Sequence, residues 1–357
     1  MNIITAVLLI LCLAGFADSM TGYHLKIGIG FDDAFRQFGS LVMSVCGFYC
    51  MSTVFVTGYM ELFEQIGKIL PFHISILSSM ILETTMGGYP IAQALAGAEE
   101  VRFFSGILVS CGLGCLISFQ MPVALSMIRR EEINIMMRGM IPGILMIPTG
   151  LLAGGFLAGM QPSALAINMI PIIFLCGLLV LGVSRFPRRT QKIMVWVGLI
   201  LKVIAQTLTV LVIVNFFIPS LDLVPWEMAY EGILVCLKIT VSVAGGMVVF
   251  AFVNAYLGKQ TEKLAGKLGM NSYSVLGLLL SVFSPVIMLP IFHKMDKKGK
   301  IANAAFSVMG SYVFGGQMSF VSQVTTGHQF MSYIIAKLTA GIFAVVLGLW
   351  MTRKKII

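Results

Sequence analysis

Two short runs of polar and small residues interrupt long apolar stretches, and they are where this chain could do chemistry. The first is Thr84-Thr85-Met86-Gly87-Gly88-Tyr89-Pro90, preceded by Glu83, within the stretch 72–96. The second is Ser281-Val282-Phe283-Ser284-Pro285, within 272–292. Backbone N–H and C=O groups freed by such breaks need partners, and in an apolar medium they survive only inside protein or beside water. Paired breaks that offer hydroxyls, backbone amides and a carboxylate suit a small polar solute. Glu83 is the only carboxylate expected deep within either stretch, and a central acid costs at least ~2.5–3.5 kcal/mol on insertion scales, so it needs a partner or a task. It either binds a cationic solute or a coupling ion, or it is the structural counter-charge of Lys202, Lys238 or Lys337, which also fall within apolar runs. A second polar set follows each break at similar depth: Ser118 and Gln120 after the first, Gly315-Gly316-Gln317 with Ser319 after the second. The candidate substrate-binding set is therefore Glu83, Thr84, Thr85, Gly87, Gly88, Tyr89, Ser118, Gln120, Ser281, Ser284, Gly316, Gln317 and Ser319. For each residue taken singly a plainer role competes. Glycines permit close helix packing, and hydroxyls and amides form interhelical hydrogen bonds worth about 0.6 kcal/mol on average.

The elements that must position these residues are membrane helices. The 357 residues are 58% hydrophobic and only 11% charged, with mean hydropathy +0.96, more apolar surface than one soluble core can hide. Apolar runs long enough for a bilayer core of ~30 Å lie at 3–17, 39–59, 103–128, 140–159, 167–184, 193–217, 232–257, 301–325 and 328–352. The expected fold is an all-α polytopic membrane protein of about nine transmembrane helices. The first run lacks a basic leader and a small-residue cleavage site, so it reads as a span and not as a removed signal peptide. Seven cysteines all sit inside apolar runs without metal-ligand or CxxC spacing, and act as small apolar fillers.

The net charge of +9 is scattered over short loops, the positive-inside pattern and not the patch or stripe of a nucleic-acid binder. Both flanks of the second broken stretch are basic, with Lys259, Lys263 and Lys267 before it and Lys294, Lys297, Lys298 and Lys300 after it. A single crossing would leave one of them outside, so 272–293 is expected to be a re-entrant hairpin entering from the cytoplasm. The flanks of 72–96 carry Glu61, Glu64, Glu99 and Glu100 against Lys68 and Arg102, so that hairpin is expected to enter from outside. The basic loops with Arg129/Arg130/Arg138 and Arg185/Arg188/Arg189/Lys192, and the tail Arg353-Lys354-Lys355, then fall inside. This places the N-terminus outside and the C-terminus in the cytoplasm of a bacterial inner membrane.

The two helix–hairpin–helix units are thereby inverted. At a shift of 199 residues Gly67 meets Gly266, Lys68 meets Lys267, Ser75 meets Ser274 and Thr85 meets Ser284. Inverted repeats bind substrate near the midplane where the broken segments meet. The expected division is a first repeat over 1–159, a linking helix and basic loop over 160–192, and the inverted second repeat over 193–357. Enzyme signatures are missing: His24, His73, His293 and His328 form no HExxH pair, and no GxSxG elbow, P-loop or nucleotide fingerprint occurs. No enzyme activity, cofactor or metal is therefore expected. A membrane receptor or scaffold that has lost transport stays open beside a transporter.

Several segments, in order along nearly the whole chain, carry a family resemblance. These are Met86-Gly87-Gly88-Tyr89 with Ala94-Leu95-Ala96-Gly97, Met121-Pro122-Val123-Ala124-Leu125, Ile147-Pro148-Thr149-Gly150, Asn168-Met169-Ile170-Pro171 and Lys294-Met295-Asp296-Lys297-Lys298-Gly299-Lys300. They resemble the EutH-type ethanolamine permeases. The resemblance implies secondary transport of ethanolamine or a related small amine by alternating access, with H+ or Na+ as a coupling ion and with a homo-oligomer open. It also implies departures at the expected site. The family pattern has an Asp where Thr85 stands, Asp-His where Gly316-Gln317 stands, and two Asn where Phe283-Ser284 stands. Their replacement leaves Glu83 as the nearest carboxylate and implies altered specificity or coupling, up to an uncharged substrate.

Overall fold

The computed structural model describes residues 3–256 and 258–356. Leu257, expected to end the span 232–257, lies outside the described residues. Every regular element is helical: among the described residues there is no strand. In chain order the helices are α1 (Ile3–Met20), α2 (Gly28–Arg36), α3 (Phe38–Gly58), α4 (Met60–Ile69), α5 (Ser75–Ile81), α6 (Tyr89–Leu95) and α7 (Glu99–Met127). They continue with α8 (Arg130–Leu157), α9 (Pro162–Arg185), α10 (Pro187–Phe217), α11 (Trp226–Tyr256), α12 (Gly258–Leu268), α13 (Ser272–Phe283) and α14 (Pro285–Met288). The last three are α15 (Lys297–Met309), α16 (Gly316–Val324) and α17 (Gly327–Arg353).

Among the described residues seven helices, α3, α7, α8, α9, α10, α11 and α17, are long and apolar enough to cross a membrane. Two of the nine expected spans fall outside that set. The run 3–17 forms α1, whose apolar part is shorter. The run 301–325 is not one helix: it breaks between Met309 and Gly316, where Tyr312 takes a left-handed backbone (φ 61°) that an L side chain adopts only under constraint. Helix α7 is 89% buried over its apolar window and forms the centre, whereas α10, at 17%, faces outward. Around α7, α17 packs along α8 and α15, α3 packs on α10 and α11, and α1 with α2 covers the end of α11.

Each broken stretch doubles back on itself. Helix α5 runs beside α7, from the Ser75 Oγ–Ser105 Oγ hydrogen bond (2.9 Å) to Ser118 Oγ, which accepts the Glu83 N–H (3.1 Å). The chain then kinks at Thr84–Gly88, where Met86 (φ −95°, ψ 42°) and Gly87 (φ 99°, ψ −19°) leave helical backbone, and α6 returns to the level of Gly106, where Tyr89 and Ala92 lie against the α7 backbone. The second stretch closes in the same way. Asn271 Nδ2 donates to Lys294 O (2.8 Å), and the Asn271 N–H donates to Asp296 Oδ1 (3.1 Å), so the two basic flanks meet at one end. Helix α13 runs beside α15, with Asn303 Nδ2 donating to Ser274 O (2.8 Å).

The elements of the two units correspond at the 199-residue shift. Met60–Ile69 matches Gly258–Leu268, Ser75–Ile81 falls within Ser272–Phe283, and Glu99–Met127 matches the broken pair Lys297–Met309 and Gly316–Val324. The first unit does not break its long helix but widens it, with π-helical winding over Phe104–Gly114 and Leu116–Gln120. Wide turns of this kind concentrate at functional positions.

Candidate functional site

Glu83 stands at the tip of the first hairpin, and its carboxyl group organises the turn. Oε2 accepts the Thr85 N–H (2.7 Å), the Thr85 hydroxyl (2.6 Å) and the Met86 N–H (3.2 Å). An acid before a helical turn satisfies N–H groups that the turn leaves without partners. The turn itself depends on both glycines. Gly87 has φ 99°, a conformation other residues rarely take. Gly88 sits so close to α7 that a Cβ there would lie 2.3 Å from Ser110 Oγ and 2.8 Å from Leu82 O. Thr84 donates its hydroxyl to Gly106 O (2.7 Å) and fixes the tip to the widened helix.

The second unit reaches the same carboxyl. Gln317, in the first turn of α16, donates its side-chain N–H to Glu83 Oε1 (3.3 Å). Glu83, Thr85, Ser118 and Gln317 are all buried. Of the expected positions, Thr85 and Gln317 meet the Glu83 carboxyl group, next to the positive end of the helix that starts at the break.

Several side-chain atoms around these positions are buried with no hydrogen-bond partner among the described residues: both amide atoms of Gln120, Ser281 Oγ and Gln317 Oε1. Buried polar atoms are normally satisfied by protein or water, and Ser52 Oγ, Ser79 Oγ and Asn303 Oδ1 are without a hydrogen-bond partner in the same way. Ser281 contributes its backbone as well, its carbonyl accepting the Tyr312 N–H (3.2 Å). Ser284 forms the extended break between α13 and α14.

Two expected site residues point elsewhere. Ser319 Oγ accepts from Ser242 Oγ (2.7 Å) and donates to Lys238 O (3.2 Å), so it ties α16 to α11. A side chain at Gly316 would run toward Ile239 (3.0 Å) and Val243 (3.5 Å), away from Glu83. The counter-charge expectation for Glu83 also changes. Lys202 and Lys238 are exposed at the protein surface, and among the described residues the ion pairs are Arg36–Asp33 and Lys300–Glu132. Lys337 is buried within electrostatic range of Glu83, but its ammonium donates to Ser311 O (2.8 Å) and Cys111 O (3.3 Å).

Tyr89 is half-buried and forms the wall between the tip and a cavity of about 190 Å³ that is lined by Glu99, Arg102, Thr325 and Gln329. Its ring meets Phe320 edge-on (5.4 Å between centroids), and Phe320 meets Tyr49 likewise (6.4 Å). Nothing in the sequence marks this aromatic trio, because Tyr49 and Phe320 sit in apolar runs. Among the described residues no cluster of His, Cys, Asp and Glu could hold a metal ion.

Comparison with known proteins gives one consistent result. The family model described as "Ethanolamine utilisation protein, EutH" matches residues 1–351. The chain is 28% identical to "Probable ethanolamine permease EutH" of Listeria monocytogenes, covering 99% of this chain and 94% of that protein. It is 26% identical to "Uncharacterized protein YxeR" of Bacillus subtilis, over 95% and 91% of the two chains. It is 24% identical to "Probable ethanolamine permease EutH" of Escherichia coli K12, over 91% and 85%. No solved structure matches. The ordered motifs, the helical membrane architecture and a family match over almost every residue agree, and the chain belongs to the EutH family of ethanolamine utilisation proteins.

Proposed function

We propose that this chain is a secondary transporter of the bacterial cytoplasmic membrane that moves a small polar amine, ethanolamine or a close relative, by alternating access between two inverted repeats. The repeats are those bounded by 1–159 and 193–357, joined through 160–192, with both broken stretches as re-entrant hairpins. The observation that carries the reading is the Glu83 carboxyl group, buried at the tip of one unit and contacted by Gln317 of the other. A protonated amine leaving water needs a carboxylate, an aromatic face or several carbonyl dipoles in its place. Glu83 supplies the first, the Tyr89 ring supplies the second, and the unpartnered amide oxygens of Gln120 and Gln317 supply acceptors for a hydroxyl. Relatives named probable ethanolamine permeases support the substrate class.

In this reading Glu83 is also the group through which a coupling ion, H+ or Na+, would act. Occupancy of the tip by a cation competes with the Gln317 contact, and loss of that contact frees the start of α16 from the first hairpin tip. The cavity at Glu99 and Tyr89 is the outer approach, with the Tyr89–Phe320 contact as its floor.

Uptake of labelled ethanolamine into proteoliposomes tests the reading, with ethylene glycol as the neutral competitor. Concentrative uptake that ethylene glycol fails to inhibit is expected. Uptake inhibited equally by both would make the substrate uncharged, in line with the replaced family carboxylates at Thr85 and Gly316. Binding without uptake would make the protein a receptor.

A further inference from the structure

The second unit's long helix breaks exactly where a buried positive charge sits, and the function above does not use that charge. Lys337 of α17 is 1% exposed. Its ammonium donates to Ser311 O (2.8 Å), at the C-terminal end of α15, and to Cys111 O (3.3 Å), in the π-wound part of α7. The rings of Tyr333 and Tyr312 lie 5.5 Å and 5.8 Å from it. Tyr312 is the residue with left-handed backbone at the break, and Tyr333 holds it by donating its hydroxyl to Tyr312 O (2.9 Å). Among the described residues no carboxylate pairs with Lys337.

A helix end presents unpartnered carbonyls and the negative end of its dipole, so a cation there is favourable. Carbonyl oxygens combined with aromatic faces are also the ligands of free, weakly hydrated monovalent cations. The two carbonyls belong to different helices, α7 and the break after α15, and the one ammonium donates to both. We propose that the Lys337 ammonium is the tethered occupant of a monovalent-cation site that locks the broken helix of the second unit to the widened helix of the first, so that the protein needs no free cation there. The tether makes the lock independent of ionic gradients, and it leaves Glu83 as the centre through which any coupling ion acts.

Thermal unfolding of the purified full chain tests this without reference to transport, so its outcome is separate from that of the solute assay. Midpoints of wild type, Lys337→Ala and Lys337→Met are compared in potassium, ammonium, sodium and N-methyl-D-glucamine chlorides at equal ionic strength. Wild type is expected to be indifferent to the cation. Lys337→Ala should unfold about 5 °C or more lower in N-methyl-D-glucamine and recover saturably with potassium or ammonium. Lys337→Met should be lowered without recovery, because its side chain fills the space. A wild-type midpoint that rises with potassium overturns the proposal. So does a Lys337→Ala protein that recovers in no salt, in sodium alone, or equally in N-methyl-D-glucamine, which would reduce Lys337 to a helix cap. If Lys337→Ala can be purified only in ammonium, the proposal is upheld. If it can be purified in none of the salts, no free cation replaces the ammonium and the proposal is overturned.

Discussion

At the scale of single residues, Glu83 separates charge from shape. Its Oε2 accepts three hydrogen bonds within its own turn, while Oε1 accepts from Gln317. Glu83→Gln keeps the volume and one oxygen for the turn, and the amide of Gln317 can rotate to meet a new N–H. It is expected to fold with a loss of about 1 kcal/mol and to lose ethanolamine uptake. Glu83→Ala strips the turn of its acceptor and is expected to cost about 2–4 kcal/mol, measured by denaturation in detergent. A folded and fully active Glu83→Gln protein would defeat the reading of Glu83 as the cation-binding group. Glu83 and Gln317 were singled out in the sequence because a lone acid and a Gly-Gly-Gln run stand out in apolar surroundings. Ser319 and Gly316 were not separable from them. In a helix enclosed on most sides the apolar pattern has no phase, so nothing in the sequence says which way a polar residue two positions away will face.

At the scale of elements, the hairpin tips and the long helices that receive them are fitted through glycine. A Cβ at Gly114 would lie 2.2 Å from Leu82 O, backbone that cannot give way without moving the hairpin. Gly114→Ala is expected to destabilise by about 1–3 kcal/mol and to lower uptake by displacing Glu83. Gly97→Ala, with nothing within 4 Å of the added carbon, is expected to stay within about 0.5 kcal/mol of wild type. Equal effects of the two would show that hairpin seating does not limit stability. Gly88→Ala combined with Ser110→Ala should cost less than the sum of the two single changes, because the nearest clash at Gly88 is with the Ser110 hydroxyl. The breaks at Thr84–Gly88 and Ser284 were legible from their Gly, Ser and Pro content. The break after Met309 was missed. Its residues fit an apolar span by composition, and only tertiary contacts, the Tyr312 N–H to Ser281 O and the Phe314 N–H to Val282 O (3.1 Å), hold the unwound backbone. The widening of α7 carried no sequence signal either. Asp18 is buried and accepts the N–H groups of Leu25 (2.7 Å), Ile27 (2.9 Å) and Gly28 (2.8 Å), shaping the entry to α2.

At the scale of the whole molecule, the question is which end of each hairpin faces which side of the membrane. The loop charges point to opposite sides. The structure adds a constraint that holds for either orientation. Lys298 Nζ lies 3.5 Å from Gly269 O, and Asn271 bonds to Lys294 O, so the flanks before and after the second hairpin share one end of the molecule. The Lys300–Glu132 ion pair (2.8 Å) holds the loop after α7 at that same end. Glu99 begins α7, 28 residues before Met127 closes it, and a straight helix of that length rises about 42 Å, more than the hydrocarbon core. Glu99 therefore belongs at the opposite end. All seven native cysteines are buried, so single cysteines introduced at Lys263, Lys298 and Glu99 can be labelled in intact cells with a membrane-impermeant maleimide over a low background. Positions 263 and 298 are expected to react only when the cytoplasmic face is opened, and position 99 only from outside. Labelling of 263 and 298 from different sides would contradict the closed second hairpin itself. Labelling of all three from one side would contradict the crossing of α7, and a binding site formed where oppositely directed tips meet would no longer follow.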